Sequence, residues 1–164
     1  MKIVSIAISK KKGTPKTPVS EAFISRDHGL EGDAHAGKWH RQVSFLSSES
    51  IESAKSQGLD VTFGDFAENI ASTGIDWKTL PLGTRVRLGE SVLVEITQIG
   101  KECHQDCAIR QQIGDCVMPR EGVFARVISG GTVKAMSANH QFMGVNRAFV
   151  SVQDREVRKG RLGV

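Results

Sequence analysis

Short runs in which apolar and polar residues alternate dominate the chain, and a period of two predicts strands. Lys2–Ile8 is β-rich, with Val4, Ile6 and Ile8 expected on one face and Ser5 and Ala7 on the other. Ala22–Ile24 supports a second short strand and Gln42–Leu46 a third. Thr84–Leu88 alternates cleanly, turns at Gly89-Glu90 and returns as Val92–Thr97, a β-hairpin. Later strands are predicted at Val123–Ile128, Thr132–Ala135 and Ala148–Val152. The clearest helical signal is Ser47–Gly58: serines at the start, Glu49 and Glu52 where the helix dipole favours them, and Gly58 at the stop. Its apolar face is thin, Ile51 and Ala54, so it is expected to lie on the surface. Roughly seven short strands and one clear helix predict a mostly β (α+β) domain, a barrel or sandwich with helical decoration.

Between these runs lie three stretches without period. Lys10–Pro18 carries four lysines, a glycine and two prolines and reads as an exposed, solvated loop. Gly29–Gly37 (GLEGDAHAG) needs sharp backbone bends. It is either a polar connection or a place where backbone N–H groups approach a ligand while His35 and Arg41 add donors. Phe63–Ile70 mixes two aromatics with polar residues that can be buried only if paired.

Composition narrows the class. With 164 residues, 39% hydrophobic and 24% charged, the chain is expected to be one globular domain with a proper core. No apolar run approaches the length of a membrane helix, and Met1–Ala7 does not resemble a signal peptide, so a cytoplasmic protein is expected. The net charge of +4 tolerates anionic partners. With no tyrosine and 5% aromatics, no interleaved basic and aromatic pattern suggests nucleic acid, and a small phosphorylated ligand suits the charge better.

All three cysteines fall in one stretch, Glu95–Arg126, at Cys103, Cys107 and Cys116. An odd number does not make a disulfide framework. A structural zinc site would want four N/S ligands in a tetrahedron, usually from paired C-x2-C knuckles. The gaps here are three and eight residues, and His104 adjoins Cys103, which makes joint ligation awkward. Cys107, beside Ala108 and Ile109, and Cys116, beside Val117 and Met118, read as small core residues. Cys103 lies just past a strand end between Lys101 and His104, charges that favour a thiolate able to carry sulfur or bind a soft metal. A structural role for it stays open on spacing alone.

Several blocks, in order, resemble the MOSC domain, the C-terminal domain of molybdenum-cofactor sulfurases, in its short stand-alone bacterial form. They are Gly29–Gly37, Arg41–Leu46, Phe66–Ile70, Leu82–Val86 and the run from Glu95 to Gly131. The resemblance covers about residues 1–134 and implies a MOSC-like β-barrel with one or two short helices, followed by a divergent tail, 135–164. It further implies that Cys103 is the signature residue, either carrying sulfur as a persulfide or acting as a molybdenum ligand, and that the cofactor is the molybdenum cofactor (molybdopterin). His35, Arg41, Glu68 and Asn69 fall in the family's other motif blocks and are expected at the same pocket. Lys101, His104 and Arg120 join them on charge, because the pterin carries a phosphate. Sulfur relay would need a cysteine desulfurase with pyridoxal phosphate as donor, or a molybdoenzyme as acceptor. A carrier that performs no reaction, a component of a cofactor-dependent reductase and a zinc-stabilised interaction module are the alternatives.

Overall fold

A computed structural model describes residues 1–102, 110–111, 116–136 and 152–153. Eleven strands, β1 (Lys2–Ile8), β2 (Thr17–Val19), β3 (Glu21–Ser25), β4 (Gly29–Leu30), β5 (Val43–Ser47), β6 (Ile70–Thr73), β7 (Arg85–Leu88), β8 (Val92–Ile99), β9 (Val123–Ser129), β10 (Gly131–Lys134) and β11 (Val152–Gln153), are joined among the described residues by helices α1 (Ser48–Ser56) and α2 (Met118–Glu121). Eight strands form one sheet in the order β11-β7-β8-β9-β5-β6-β1-β2, and β10-β3-β4 form a second. The protein is therefore mostly β, as the alternation predicted. The large sheet curls in a barrel-like manner without hydrogen-bonded closure between β11 and β2. Among the described residues no helix is long and apolar enough to cross a membrane.

Strand β5 organises this arrangement. Four of its five residues are buried, because it separates two cores. Val43 and Phe45 face the larger one with Ile3, Ile6, Ile70, Val94 and Ile96; Phe45 lies 4.4 Å from Trp77, whose Nε1 donates to Ser72 Oγ at 2.8 Å. Leu46 faces the smaller one, formed with Ile51 and Ala54 of α1, Phe66, Cys116 and Met118. A strand apolar on both sides cannot show clean alternation. It pairs antiparallel with β9 and parallel with β6.

Helix α1 begins where its serines predicted: Ser47 Oγ accepts the Ser50 N–H at 3.1 Å, and Ile51 and Ala54 are buried. The hairpin also forms as expected, Val86 opposite Val94 and Leu88 opposite Val92. Two local expectations need correction. In β1 a bulge between Ile3 and Ser5 shifts the register, so Ile3, not Val4, enters the core with Ile6. Lys10–Pro18 is not wholly solvated, since Lys16 is buried and β2 begins at Thr17. The late strand is described only at Val152–Gln153, paired with β7; positions 148–151 of the expected Ala148–Val152 strand lie outside the described residues. The rest of the tail from residue 137, and Cys103, His104 and Cys107, lie outside the described residues.

Candidate functional site

An open cleft of about 730 Å³ lies beside β5. Ser44, Ala67 and Asn69 contribute to its lining, with His35, Trp39, His40 and Arg41 from the glycine-rich segment. Lys12 and Gly13 come from the lysine loop, and Gln98, Lys101, Glu102, Met118 and Phe124 from β8, its exit, α2 and β9.

Asn69 is locked. Its Oδ1 accepts from Ser44 N–H (3.1 Å) and Ser44 Oγ–H (3.0 Å), and its Nδ2 donates to Ala7 C=O (3.2 Å). The side chain thus ties β1 to β5 just before β6 and fixes the position of Ser44, so its loss would orphan buried polar groups. Arg41 is held differently. Its guanidinium carbon lies 4.7 Å from the centre of the Trp39 ring and 5.7 Å from that of Phe124, contacts favourable to a cation. Its Nε is buried and has no hydrogen-bond partner among the described residues. Lys12 Nζ also approaches the Trp39 ring, at 5.3 Å. Trp39 in turn is pinned by donating Nε1–H to His35 C=O at 2.8 Å.

Behind His35 lies a buried polar chain. Lys16, its side chain fully inaccessible, donates to Asp33 Oδ1 at 2.5 Å, to Ser9 Oγ at 3.3 Å and contacts His35 Nδ1 at 3.3 Å. Asp33 also accepts the backbone N–H of Ser9 (2.9 Å) and of His35 (3.0 Å). Burial alone would raise the Asp33 carboxyl, but the Lys16 hydrogen bond and the two backbone donors outweigh it and hold it below its ordinary range. His35 is pushed down to about 4, first by burial and then by the neighbouring Lys16 charge.

Glu68 is 1% exposed and is not a lining residue; it stands behind Ala67 and Asn69, which are. Its Oε1 accepts from Gly64 N–H, while Oε2 has no partner among the described residues. Burial raises its carboxyl to about 7. Gly64 can stand so close to the lysine segment because it lacks a side chain: its φ is +95°, and a Cβ would collide with the Lys16 carbonyl oxygen.

Residues 32–138 match the MOSC domain, well over half of the chain. The chain belongs to the MOSC domain family. Solved structures agree in fold. The YuaD protein of Bacillus subtilis superposes with a TM-score of 0.67 at 17% identity, covering 82% of this chain and 91% of that one. YiiM from Geobacillus stearothermophilus gives 0.64 at 22% identity, covering 96% of this chain and 77% of its own, and YiiM from Escherichia coli 0.59 at 20%, covering 94% and 71%. No curated protein matches in sequence. MOSC domains are associated with the molybdenum cofactor.

The MOSC cleft gathers four of the residues singled out in the sequence, His35, Arg41, Asn69 and Lys101, along one lining. Arg120 is exposed on α2, whose Met118 lines the cleft in its place. Gly100 fixes the exit of β8 by donating to Gly122 C=O at 2.7 Å, and Lys101 N–H donates to Pro119 C=O at 3.3 Å. That positions Lys101 and Glu102, the last described residues before Cys103 in the chain. Lys16, Asp33 and Trp39 were missed. The signal for Trp39 was an aromatic set directly between Lys38 and His40-Arg41; Lys16 gave none, since its partner is distant in sequence.

The donor set suits a phosphorylated pterin: a planar guanidinium whose buried Nε–H has no partner among the described residues, two lysines and two histidines around a cavity of ligand size. Among the described residues no three of His, Cys, Asp and Glu gather as a metal site. Cys116 is 3% exposed within the smaller core. Cys116→Ala should lower stability by about 1 kcal/mol, the scale of a small cavity, and leave ligand binding unchanged. Thermal melts beside a binding assay check this; loss of binding at unchanged stability would place Cys116 in the site.

Proposed function

We propose that the cleft binds the molybdenum cofactor, with Arg41 and Lys101 on its phosphate and Cys103 as the sulfur or metal contact. The supporting observation is the Arg41 guanidinium, held against two aromatic rings at the cleft with a buried N–H unpartnered among the described residues. A planar fork fixed in advance loses little freedom when it meets a phosphate, which is where Arg outperforms Lys. Lys12 and Lys101 add positive field, while Asn69 and Ser44, tied to each other, keep the wall rigid.

The cofactor, when bound, would supply molybdenum-centred oxygen or sulfur chemistry. The chain's own part is to orient the phosphate with Arg41, offer a neutral donor from His35 and present a thiolate at Cys103. Lys101 favours that thiolate by charge. If the thiol carries sulfur as a persulfide, a cysteine desulfurase is the donor; if it carries none, the protein is a carrier of the cofactor.

Protein purified from a host that makes the cofactor should contain molybdenum and pterin in near-equal amounts, measured by elemental analysis and by fluorescence of the oxidised pterin. Cys103→Ser should lose the molybdenum or the sulfur adduct while retaining the fold. Zinc in place of molybdenum, with all three cysteine substitutions loosening the structure alike, would overturn the reading.

A further inference from the structure

We propose that Lys16 is a positioning residue: by donating a hydrogen bond to His35 Nδ1 it fixes the imidazole with its proton on Nε2, as a donor to an acceptor oxygen or ring nitrogen of the bound ligand. The ligand-facing half of this rests on the cofactor-binding reading; the tautomer itself does not.

An ammonium has three donors and no lone pair. Those of Lys16 have three acceptors in reach: Asp33 Oδ1, Ser9 Oγ and His35 Nδ1. Burial lowers the Lys16 pKa, while the Asp33 carboxylate, in contact at 2.5 Å, favours the ammonium form. Nδ1 must then be the nitrogen with the lone pair, and the single proton of the neutral ring stands on Nε2, at the opposite edge. No described residue hydrogen-bonds Nε2: His35 engages its surroundings through Nδ1, its N–H to Asp33 and its C=O from Trp39. The ring plane is set by stacking on Trp39 at 6.3 Å with 15° between planes.

Protonation at Nδ1 is opposed by burial and by three lysines. Lys16, Lys101 and Lys12 all repel a second charge, and only Asp33 favours it, its Oδ2 standing 3.9 Å from Nδ1. Burial acts in the same sense as the lysines. His35 is consequently neither a base, since its lone pair is engaged, nor a general acid at neutral pH. It is a fixed neutral donor, and the residue that makes it so is buried and never meets the ligand. A buried ion pair that served only stability would be indifferent to the tautomer.

The test is long-range ¹H–¹⁵N spectroscopy of the full-length labelled protein, with His35 assigned by comparison with His35→Gln. The expected result is an Nε2–H tautomer throughout neutral pH, with titration near 4. Lys16→Gln keeps an N–H donor without the charge, so the tautomer should persist while titration moves upward. Lys16→Met with Asp33→Asn leaves no orphaned charge and frees Nδ1, so both tautomers should appear. Should the double variant not fold, the unaltered protein and Lys16→Gln decide. An Nδ1–H or doubly protonated ring at pH 7, or a tautomer unchanged in a folded double variant, would overturn the proposal. The expected tautomer in protein that binds no pterin would instead sink the cofactor reading alone.

Discussion

Arg41→Ala should weaken molybdopterin binding about ten- to a hundredfold, the loss of one charge-assisted hydrogen bond of about 1.5–3 kcal/mol. Stability should fall much less. The folded protein loses ring contacts to Trp39 and Phe124 worth roughly 0.5–1 kcal/mol each, and it sheds a buried N–H that has no partner among the described residues. Arg41→Lys should recover little, because a point charge on a flexible stem neither lies flat between two rings nor donates as a fork. Equilibrium titration and thermal melts of the three proteins distinguish the outcomes. Unchanged affinity with a sharply lower melting temperature would make Arg41 structural.

The second large effect concerns pH. Glu68 has an ordinary value of 4.5 and, folded, about 7. A carboxyl raised by folding contributes stability that is complete below 4.5 and is lost as pH rises to 7. At 1.36 kcal/mol per unit the loss is about 3 kcal/mol. His35 runs the other way. Lowered from 6.5 to about 4, it contributes stability that is complete above 6.5 and is lost as pH falls to 4. The two windows overlap, so the unaltered protein should show a nearly flat profile between them. Glu68→Gln keeps the acceptor for Gly64 N–H and cannot ionise. It should match the parent near pH 4.5, exceed it by about 3 kcal/mol at pH 8, and reveal the rise due to His35. Denaturant melts across that range give the curve; identical profiles for the two proteins would mean that Glu68 ionises freely in the fold.

How much of this could be read from the chain follows from the range of the interactions. Helix α1 was legible because Ser47, Glu49 and Gly58 act within a turn or two. The hairpin β7–β8 was legible because only Gly89, Glu90 and Ser91 link its strands. The blocks around His35, Arg41, Asn69 and Lys101 were recognised in sequence, but their convergence depends on β5 lying between two cores, which alternation does not report. Lys16 stands among lysines and prolines that signal solvent, and only Asp33, folded against it from another segment, makes its burial tolerable. The bulge in β1 moved the core face from Val4 to Ile3 for a similar reason, since register is set by the partner strand.

Strand β5 has its neighbours far away along the chain: Phe45 stands beside Ile70 on one side and Val123 on the other. Contacts of that span lose loop entropy before they return any stabilisation. On a ribosome, which releases the N-terminal part first, His35, Arg41 and Asn69 are all made long before β9 exists to close the wall beside them. The cleft is accordingly a property of the finished chain: a nascent protein halted before Val123–Ser129 holds most of the lining residues but lacks the β9 wall that completes the cleft.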